Sequence, residues 1–359
     1  MNKYRSMVQE QSRFADERAV ATLVGCKIQP RIVLATLPMA EDLPELLAAT
    51  THVLIDEAGQ ATLTGVVSTL VYMKALEKVL ITGDPKQLQV YTAGCPEGAS
   101  VALTSVLRYC INAPAVGRGL NSLNICYRCH PALVTCLAAA AYPDGLDCGV
   151  TELDRSILTR SSINLPVQQV PLVLLHTPAL DERAESSFSR FNTEQTNIAS
   201  AIIINLESSL PLEASIIVIC LYSENAHNLQ QTPFTRTHVY TVDSYQSQEA
   251  DVVILITTRS MEAAAYDDEK ALAFVTNDER VTVALSRARN GLFIIGNIRT
   301  LMIGQVWRRY IDTASRLFGV PIVNSDYLDL MNGQVSRTTS SPFTILNKIG
   351  KIPYAADKF

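Results

Sequence analysis

The residues able to do chemistry fall in five short clusters. In V-L-I-D-E-A-G-Q (53–60), an apolar run ends in Asp56 and Glu57. Adjacent carboxylates at the end of a buried strand can divide one task. One holds a divalent cation such as Mg2+, while the other orients and deprotonates an attacking water. A solvated acidic turn is the plainer alternative. In L-I-T-G-D-P-K-Q-L (80–88), a second apolar run ends in a Gly-Asp-Pro turn followed by Lys86 and Gln87. The Gln87 amide can hydrogen-bond a phosphate oxygen or the attacking water. Asp84 follows Asp56 by 28 residues, and the pair is more specific than either half.

The third cluster is N-I-C-Y-R-C-H-P (124–131), which reads in two ways. Cys126-x-x-Cys129, with His130, Cys136 and Cys148 nearby, has the ingredients of a zinc site but no second paired Cys-x-x-Cys. Alternatively, Arg128 is aimed at phosphate, which its fixed donor fork suits, and Tyr127 offers a flat face for a base. The fourth cluster, V-Y-T-V-D-S-Y-Q-S-Q-E-A-D-V-V-I-L (239–255), is a polar loop between two buried runs. It is expected to bring Thr241, Ser244, Gln246 and Glu249 to a single edge, with hydroxyls for a phosphate backbone and a carboxylate for a ribose. The fifth, V-T-V-A-L-S-R-A-R (281–289), turns Val281, Ala284 and Leu285 to a core and leaves Arg287 and Arg289 to diverge. One of these would project into a neighbouring domain's cleft as a finger. Two solvated cations at a helix C-terminus are the alternative.

These clusters need elements to hold them. Short Val/Ile/Leu-rich runs recur at Arg31–Thr36, His52–Asp56, Lys78–Gly83, Pro171–Thr177, Ala214–Tyr222, Val239–Val242, Asp251–Thr258 and Leu292–Asn297. Their nearly continuous hydrophobicity predicts strands buried on both faces of a parallel sheet. Helical segments are predicted at Lys3–Leu23, Thr193–Leu210 and Asp278–Arg289, giving an α/β chain of βαβ units. Ligands in such sheets sit at the carboxyl ends of the strands. The 359 residues suggest about two domains. With 48% hydrophobic and 18% charged residues and a net charge of −5, the chain is neither disordered nor a polycationic tail. No apolar run is long enough for a membrane helix. The N-terminus has no signal core, no Asn-x-Ser/Thr acceptor occurs, and eight cysteines make no disulfide scaffold. A reducing intracellular setting, cytoplasmic or nuclear, is expected.

Together and in this order, the clusters resemble superfamily 1 helicases of the up-frameshift and senataxin-like group. Asp56–Gln60 is similar to that group's DEA-S/A/G-Q, and Gly83–Leu88 to GDPxQL. Cys126–Pro131 is similar to QYRMHP, with cysteines for Gln and Met. Val242–Asp251 is similar to VDxFQGxExD, with Ser247 for the usual glycine. Thr282–Arg289 is similar to VALTRAR preceded by Asn, with Thr282 and Ser286 departing from it. The resemblance spans roughly 31–323. It implies RecA-like P-loop NTPase domains, ATP and Mg2+ as cofactors, and movement on single-stranded nucleic acid, RNA more than DNA. It makes Asp56 the Mg2+ ligand, Glu57 the catalytic base and Gln87 the phosphate sensor. Arg128 and Arg287 would stabilise transition-state charge, Tyr127 would stack on the base, and Glu249 would hold the sugar. Thr36, Thr241, Ser244 and Gln246 become nucleic-acid contacts.

The group's first motif, G-x-x-x-x-G-K-S/T, does not occur in the 359 residues, and 55 residues precede Asp56. The expected organisation is therefore the rear part of a first RecA-like domain (1–115), a complete second one (116–325) and a tail (326–359). Residues 31–37 would be one strand of the first. A helicase fragment is the leading expectation. The alternatives are an inactive module that binds nucleic acid or protein, and a phosphate loop supplied by a second polypeptide.

Overall fold

The computed structural model describes residues 27, 30–90, 99–113, 119–185, 187, 189–261 and 272–331. The helix expected over Lys3–Leu23, the linker residues Pro114 and Gly117, and the tail segment Ser336–Pro342 lie outside them. The chain separates into two compact units, Met1–Ser122 and Leu123–Phe359.

In the first unit, β1 (His52–Ile55) pairs parallel with β2 (Lys78–Ile81), Val53 opposite Val79 and Leu54 opposite Leu80. Ile55, Ala58, Ala61 and Val66 close a small core with Val106 and Leu107 from the helix Val106–Asn112. The helix Leu63–Leu70 starts on Thr62, whose hydroxyl accepts from the Gly65 amide at 3.0 Å. The run 31–36 is not a strand. It is without a ladder among the described residues, Ile32 is 79% and Leu34 92% exposed, and the chain turns helical at Leu37–Glu41. Hydrophobicity marks a segment able to join a sheet, but a strand exists only where a neighbour supplies hydrogen bonds.

The second unit has the expected RecA-like α/β architecture. Two small ladders, β3 (Ile125–Cys126) with β4 (Asp147–Cys148) and β6 (Glu182–Arg183) with β7 (Arg190–Phe191), flank a six-stranded sheet. That sheet contains β5 (Leu172–His176), β8 (Ile216–Cys220), β9 (His238–Thr241), β10 (Ala250–Ile256), β11 (Ala288–Gly296) and β12 (Ile322–Val323). Its order is β12-β5-β11-β10-β8-β9, with every neighbour parallel. All residues of β8 and β10 are buried, as the continuous apolar runs require. The helix Thr193–Ser209, capped by Asn192, lays Ile198, Ala199, Ile202, Ile203 and Leu206 on the sheet at helical spacing. The helix expected to reach Arg289 stops at Leu285, and Ala288 already pairs with Ala250 as the start of β11. Arg287 and Arg289 are therefore residues of a helix-to-strand turn, not a helical pair.

Parallel pairing also fixes which end of the sheet each residue occupies. Thr241 is level with Cys220, and Cys220 with Ile256, so Thr241 sits at the carboxyl end. Glu249 precedes Ala250 at the amino end of β10. Seven residues at about 3.3 Å each put the two ends roughly 20 Å apart. The fourth cluster is not gathered at one edge. Its loop is a crossover that must return from one end of the sheet to the other.

Candidate functional site

In the first unit, the chain leaves β1 through Asp56 and turns sharply at Glu57, whose φ is +51°. This left-handed conformation costs a non-glycine residue about 1–2 kcal/mol and marks a residue held by its surroundings. The hold comes from Ala58, which donates its amide to the Thr82 carbonyl at 2.9 Å, and from Thr82, which donates its amide to Ile55 at 2.8 Å. Gly83 closes the approach. A Cβ there would lie 3.1 Å from the Ala58 nitrogen and 3.0 Å from Leu107 Cδ2. Asp56 Oδ1 accepts from the Thr82 hydroxyl at 2.7 Å and from the Glu57 amide at 2.9 Å. Asp84 Oδ2 accepts from Gln87 Nε2 at 2.9 Å, which fixes the amide that sequence reasoning singled out. Thr82 is a positioning residue that sequence reasoning missed, and Asp84, which it used only for spacing, is a second. Both lie inside the cluster 80–88.

Among the described residues no group of three or more His, Cys, Asp or Glu could hold a metal. That leaves Cys126, Cys129, His130, Cys136 and Cys148 without a zinc arrangement. A single exposed carboxylate oriented by a threonine hydroxyl fits Mg2+, which commonly binds one or two carboxylates and takes its other ligands from water and substrate phosphates.

In the second unit, three separate stretches of sequence converge at the amino ends of β10 and β11. Arg128 follows β3 and donates from Nε to Glu249 Oε2 at 2.7 Å and from Nη1 to the Ser286 carbonyl at 3.2 Å. Glu249 Oε1 lies 3.4 Å from Arg289 Nη1, so one carboxylate bridges two guanidiniums. Partial burial pushes the Glu249 carboxyl up. The hydrogen bonds and charges of Arg128 and Arg289 outweigh that and leave it below the usual range. Arg289 is held in turn by buried Asp251, at 2.7 Å from Nη2. Asp251 also accepts from the Ser215 amide and hydroxyl and from Asn290 Nδ2. Sequence reasoning weighed Arg289 but not its anchor Asp251, and it missed Arg155. The Arg155 guanidinium donates to the Arg128 carbonyl at 2.6 Å and the Tyr127 carbonyl at 2.7 Å, clamping the backbone between them.

Arg287 does not project. It is 1% exposed, donating to the Val283 carbonyl at 3.1 Å, the Ser286 hydroxyl at 2.7 Å and the Gln248 carbonyl at 3.3 Å. Both sequence expectations, a projecting finger and a solvated cation, are corrected. The reason is that the helix ends at Leu285, four residues earlier than expected, and the turn that follows directs the side chain inward. Tyr127 is 63% exposed, with its ring lying over Gly149, where a Cβ would come within 2.4 Å of Cε1. At the carboxyl edge, Thr241 donates its hydroxyl to Ser244 Oγ at 3.0 Å, and Ser244 donates to the Thr241 carbonyl at 2.9 Å. Gln246 is half-buried on the returning crossover, and exposed Thr36 caps the helix Leu37–Glu41 in the first unit.

Ser247, where the resembling motif has glycine, has φ +64°. Ser247→Gly is expected to raise stability by about 0.5 kcal/mol, as relief of a left-handed serine exceeds the added chain entropy. The shift is read from urea unfolding followed by fluorescence of Trp307. It is the only tryptophan in the chain and lies in the second unit, so it reports that unit.

A buried histidine and a half-buried one add a pH dependence. His130 Nδ1 accepts from the Ala132 amide at 3.1 Å, capping the helix Pro131–Ala141, and His176 Nδ1 accepts from the Ile298 amide at 3.2 Å. Burial pushes both rings below the ordinary histidine value. The unfolded chain therefore binds protons that the folded chain does not, and stability falls as pH drops below about 6.5. The Trp307 urea midpoint is expected to be lower at about pH 5.5 than at about 7.5. His130→Asn, which keeps a capping oxygen, should flatten that dependence.

A family model described as an AAA domain matches residues 108–299, more than half of the chain, and a second of the same description matches residues 2–92. The chain is 28% identical over 277 residues to "Regulator of nonsense transcripts 1" of Dictyostelium discoideum, covering 72% of this chain and 19% of that protein. It is 26% identical over 246 residues to "5'-3' DNA helicase ZGRF1" of Mus musculus, covering 66% and 12%. It is 27% identical over 275 residues to "RNA helicase Mov10l1" of Mus musculus, covering 70% and 23%. The chain thus spans less than a quarter of the length of these curated relatives. Among the described residues no helix is long and apolar enough to cross a membrane.

Proposed function

Because the chain belongs to the AAA-domain family, as an up-frameshift-like superfamily 1 helicase region, we propose that it carries part of the machinery of an ATP-driven motor on single-stranded nucleic acid. The first unit supplies the water-activating end. Asp56 holds Mg2+, Glu57 orients and deprotonates water, and Gln87 senses the γ-phosphate. Mg2+, when bound, neutralises charge on the phosphates. The second unit supplies the charge-stabilising end. Arg128 leaves Glu249 for phosphate, Glu249 turns to the sugar, and Tyr127 offers its exposed ring to the base. Arg287 acts as a strut that holds the turn carrying Arg289.

The observation that carries this reading is the carboxylate bridged by two guanidiniums at the amino edge of the second sheet. It is a preassembled set of phosphate donors held together by a replaceable anion. Thr241, Ser244 and Gln246, with Thr36 in the first unit, are proposed to contact the nucleic-acid backbone. RNA is the proposed substrate, in an intracellular compartment, since two of the three relatives are named for transcripts or RNA.

The 359 residues hold no G-x-x-x-x-G-K-S/T to cradle phosphates, so an upstream segment or a second polypeptide would supply that loop. Phosphate release by this chain alone is expected near background, with or without single-stranded RNA. RNA-stimulated release that Glu57→Gln abolishes would overturn this division of labour.

A further inference from the structure

Arg128 is flanked by two cysteines, at the positions where the resembling motif carries glutamine and methionine. Cys126 lies on β3 and is half-exposed, while Cys129 is buried. Their thiols hydrogen-bond each other. Cys129 Sγ lies 3.7 Å from the Ser286 carbonyl, the same oxygen that accepts Arg128 Nη1, so its one proton is shared between that oxygen and the Cys126 sulfur. Cys148, opposite Cys126 in the small ladder, has its thiol on backbone carbonyls, that of Val150 at 3.3 Å and that of Cys129 at 3.8 Å.

We propose that Cys126 and Cys129 form a thiol–disulfide pair that reacts with small-molecule disulfides and closes a bridge across Arg128. The Cys126 sulfur attacks one sulfur of the external disulfide. That S–S bond breaks, and one thiolate leaves and takes a proton from water. Cys129 then gives its proton to water and attacks Cys126 Sγ, expelling the second thiolate, which takes a proton from water in its turn. Two electrons pass from the protein pair to the external disulfide, which ends as two thiols.

The division of roles follows from the surroundings. The hydrogen bond from Cys129 draws the Cys126 thiol well down against the opposing effect of burial, helped by the backbone amides of Cys129 and Arg128 and by the Arg128 charge. The same hydrogen bond and full burial push Cys129 up. Half-exposed Cys126 is therefore the reachable nucleophile and buried Cys129 the resolving partner. The closed bridge takes the Cys129 sulfur from Ser286 and fixes the backbone that carries Arg128.

The test uses the full chain and oxidised glutathione, with acid quenching, alkylation of remaining thiols and peptide mapping. The expected product is a Cys126–Cys129 bridge. Cys126 should react at least about tenfold faster than half-exposed Cys110 near neutral pH, the thiolate advantage exceeding its lower intrinsic nucleophilicity. Cys129→Ser should stop at a glutathione adduct on Cys126, and Cys148→Ser should bridge as the unsubstituted chain does. The proposal is overturned if the unsubstituted chain reacts no faster at Cys126 than at Cys110. It also falls if the chain accumulates an unresolved adduct, or bridges Cys126 to Cys148 instead.

Discussion

Asp251→Ala is expected to destabilise the second unit by about 4 kcal/mol, since four donor groups lose their one acceptor at about 1 kcal/mol each. Asp251 is buried at the start of β10 and accepts from Arg289, Ser215 and Asn290 together. Desolvation raises its carboxyl, but the Ser215 donors and the Arg289 guanidinium reverse that and hold it below the ordinary range. Alanine leaves the Ser215 and Asn290 donors without their acceptor and frees Arg289 from the sheet edge. For a unit of this size the midpoint temperature should fall by roughly 8–16 °C, at about 2–4 °C per kcal/mol. Trp307 fluorescence measures it without interference from the first unit. A fall of under about 1 kcal/mol would mean that Asp251 is not the anchor of the guanidinium cluster.

Arg287→Ala is expected to cost about 3 kcal/mol, in the same assay. Removing the side chain takes the Arg287 donor from the buried Gln248 carbonyl and leaves a cavity where a fully buried side chain packed, while the Val283 carbonyl keeps the Ser286 amide and hydroxyl. A residue that acted only as a projecting finger would cost almost nothing in stability, since surface substitutions stay within about 0.5 kcal/mol. Arg287→Lys separates strut from charge. It keeps the cation but cannot reproduce the fork, so it should recover less than half of the loss.

What the sequence disclosed was where polar clusters interrupt apolar runs. The runs ending in Asp56 and at Gly83 are neighbouring strands, in register, with the motif residues at their shared end. Type and spacing suffice there because a strand followed at once by its functional residues leaves little freedom. The crossover from Thr241 to Glu249 was misread because spacing along a chain does not record which end of a sheet each residue occupies. Only the parallel pairing of β8, β9 and β10 does. Arg287 was misread because arginine is usually a surface residue, and its burial depends on a helix stopping at Leu285. The segment 31–36 shows the opposite failure, since its hydrophobicity was legible but its pairing is a property of the neighbour. Arg155 carries no sequence signal, because its hold on residues 127 and 128 comes through backbone carbonyls that any residue would offer.

The central claim is that the bridged carboxylate marks a face that receives the phosphates of ATP. Phosphorus NMR of Mg·ATP in the presence of the full chain tests it most directly, because line broadening registers weak binding that turnover assays miss. The unsubstituted chain is expected to broaden the β- and γ-phosphate lines. Arg128→Ala, verified as folded by its Trp307 urea transition, is expected to leave them nearly as sharp as in free ATP. Equal broadening by both proteins, or none by the unsubstituted chain, would contradict the account.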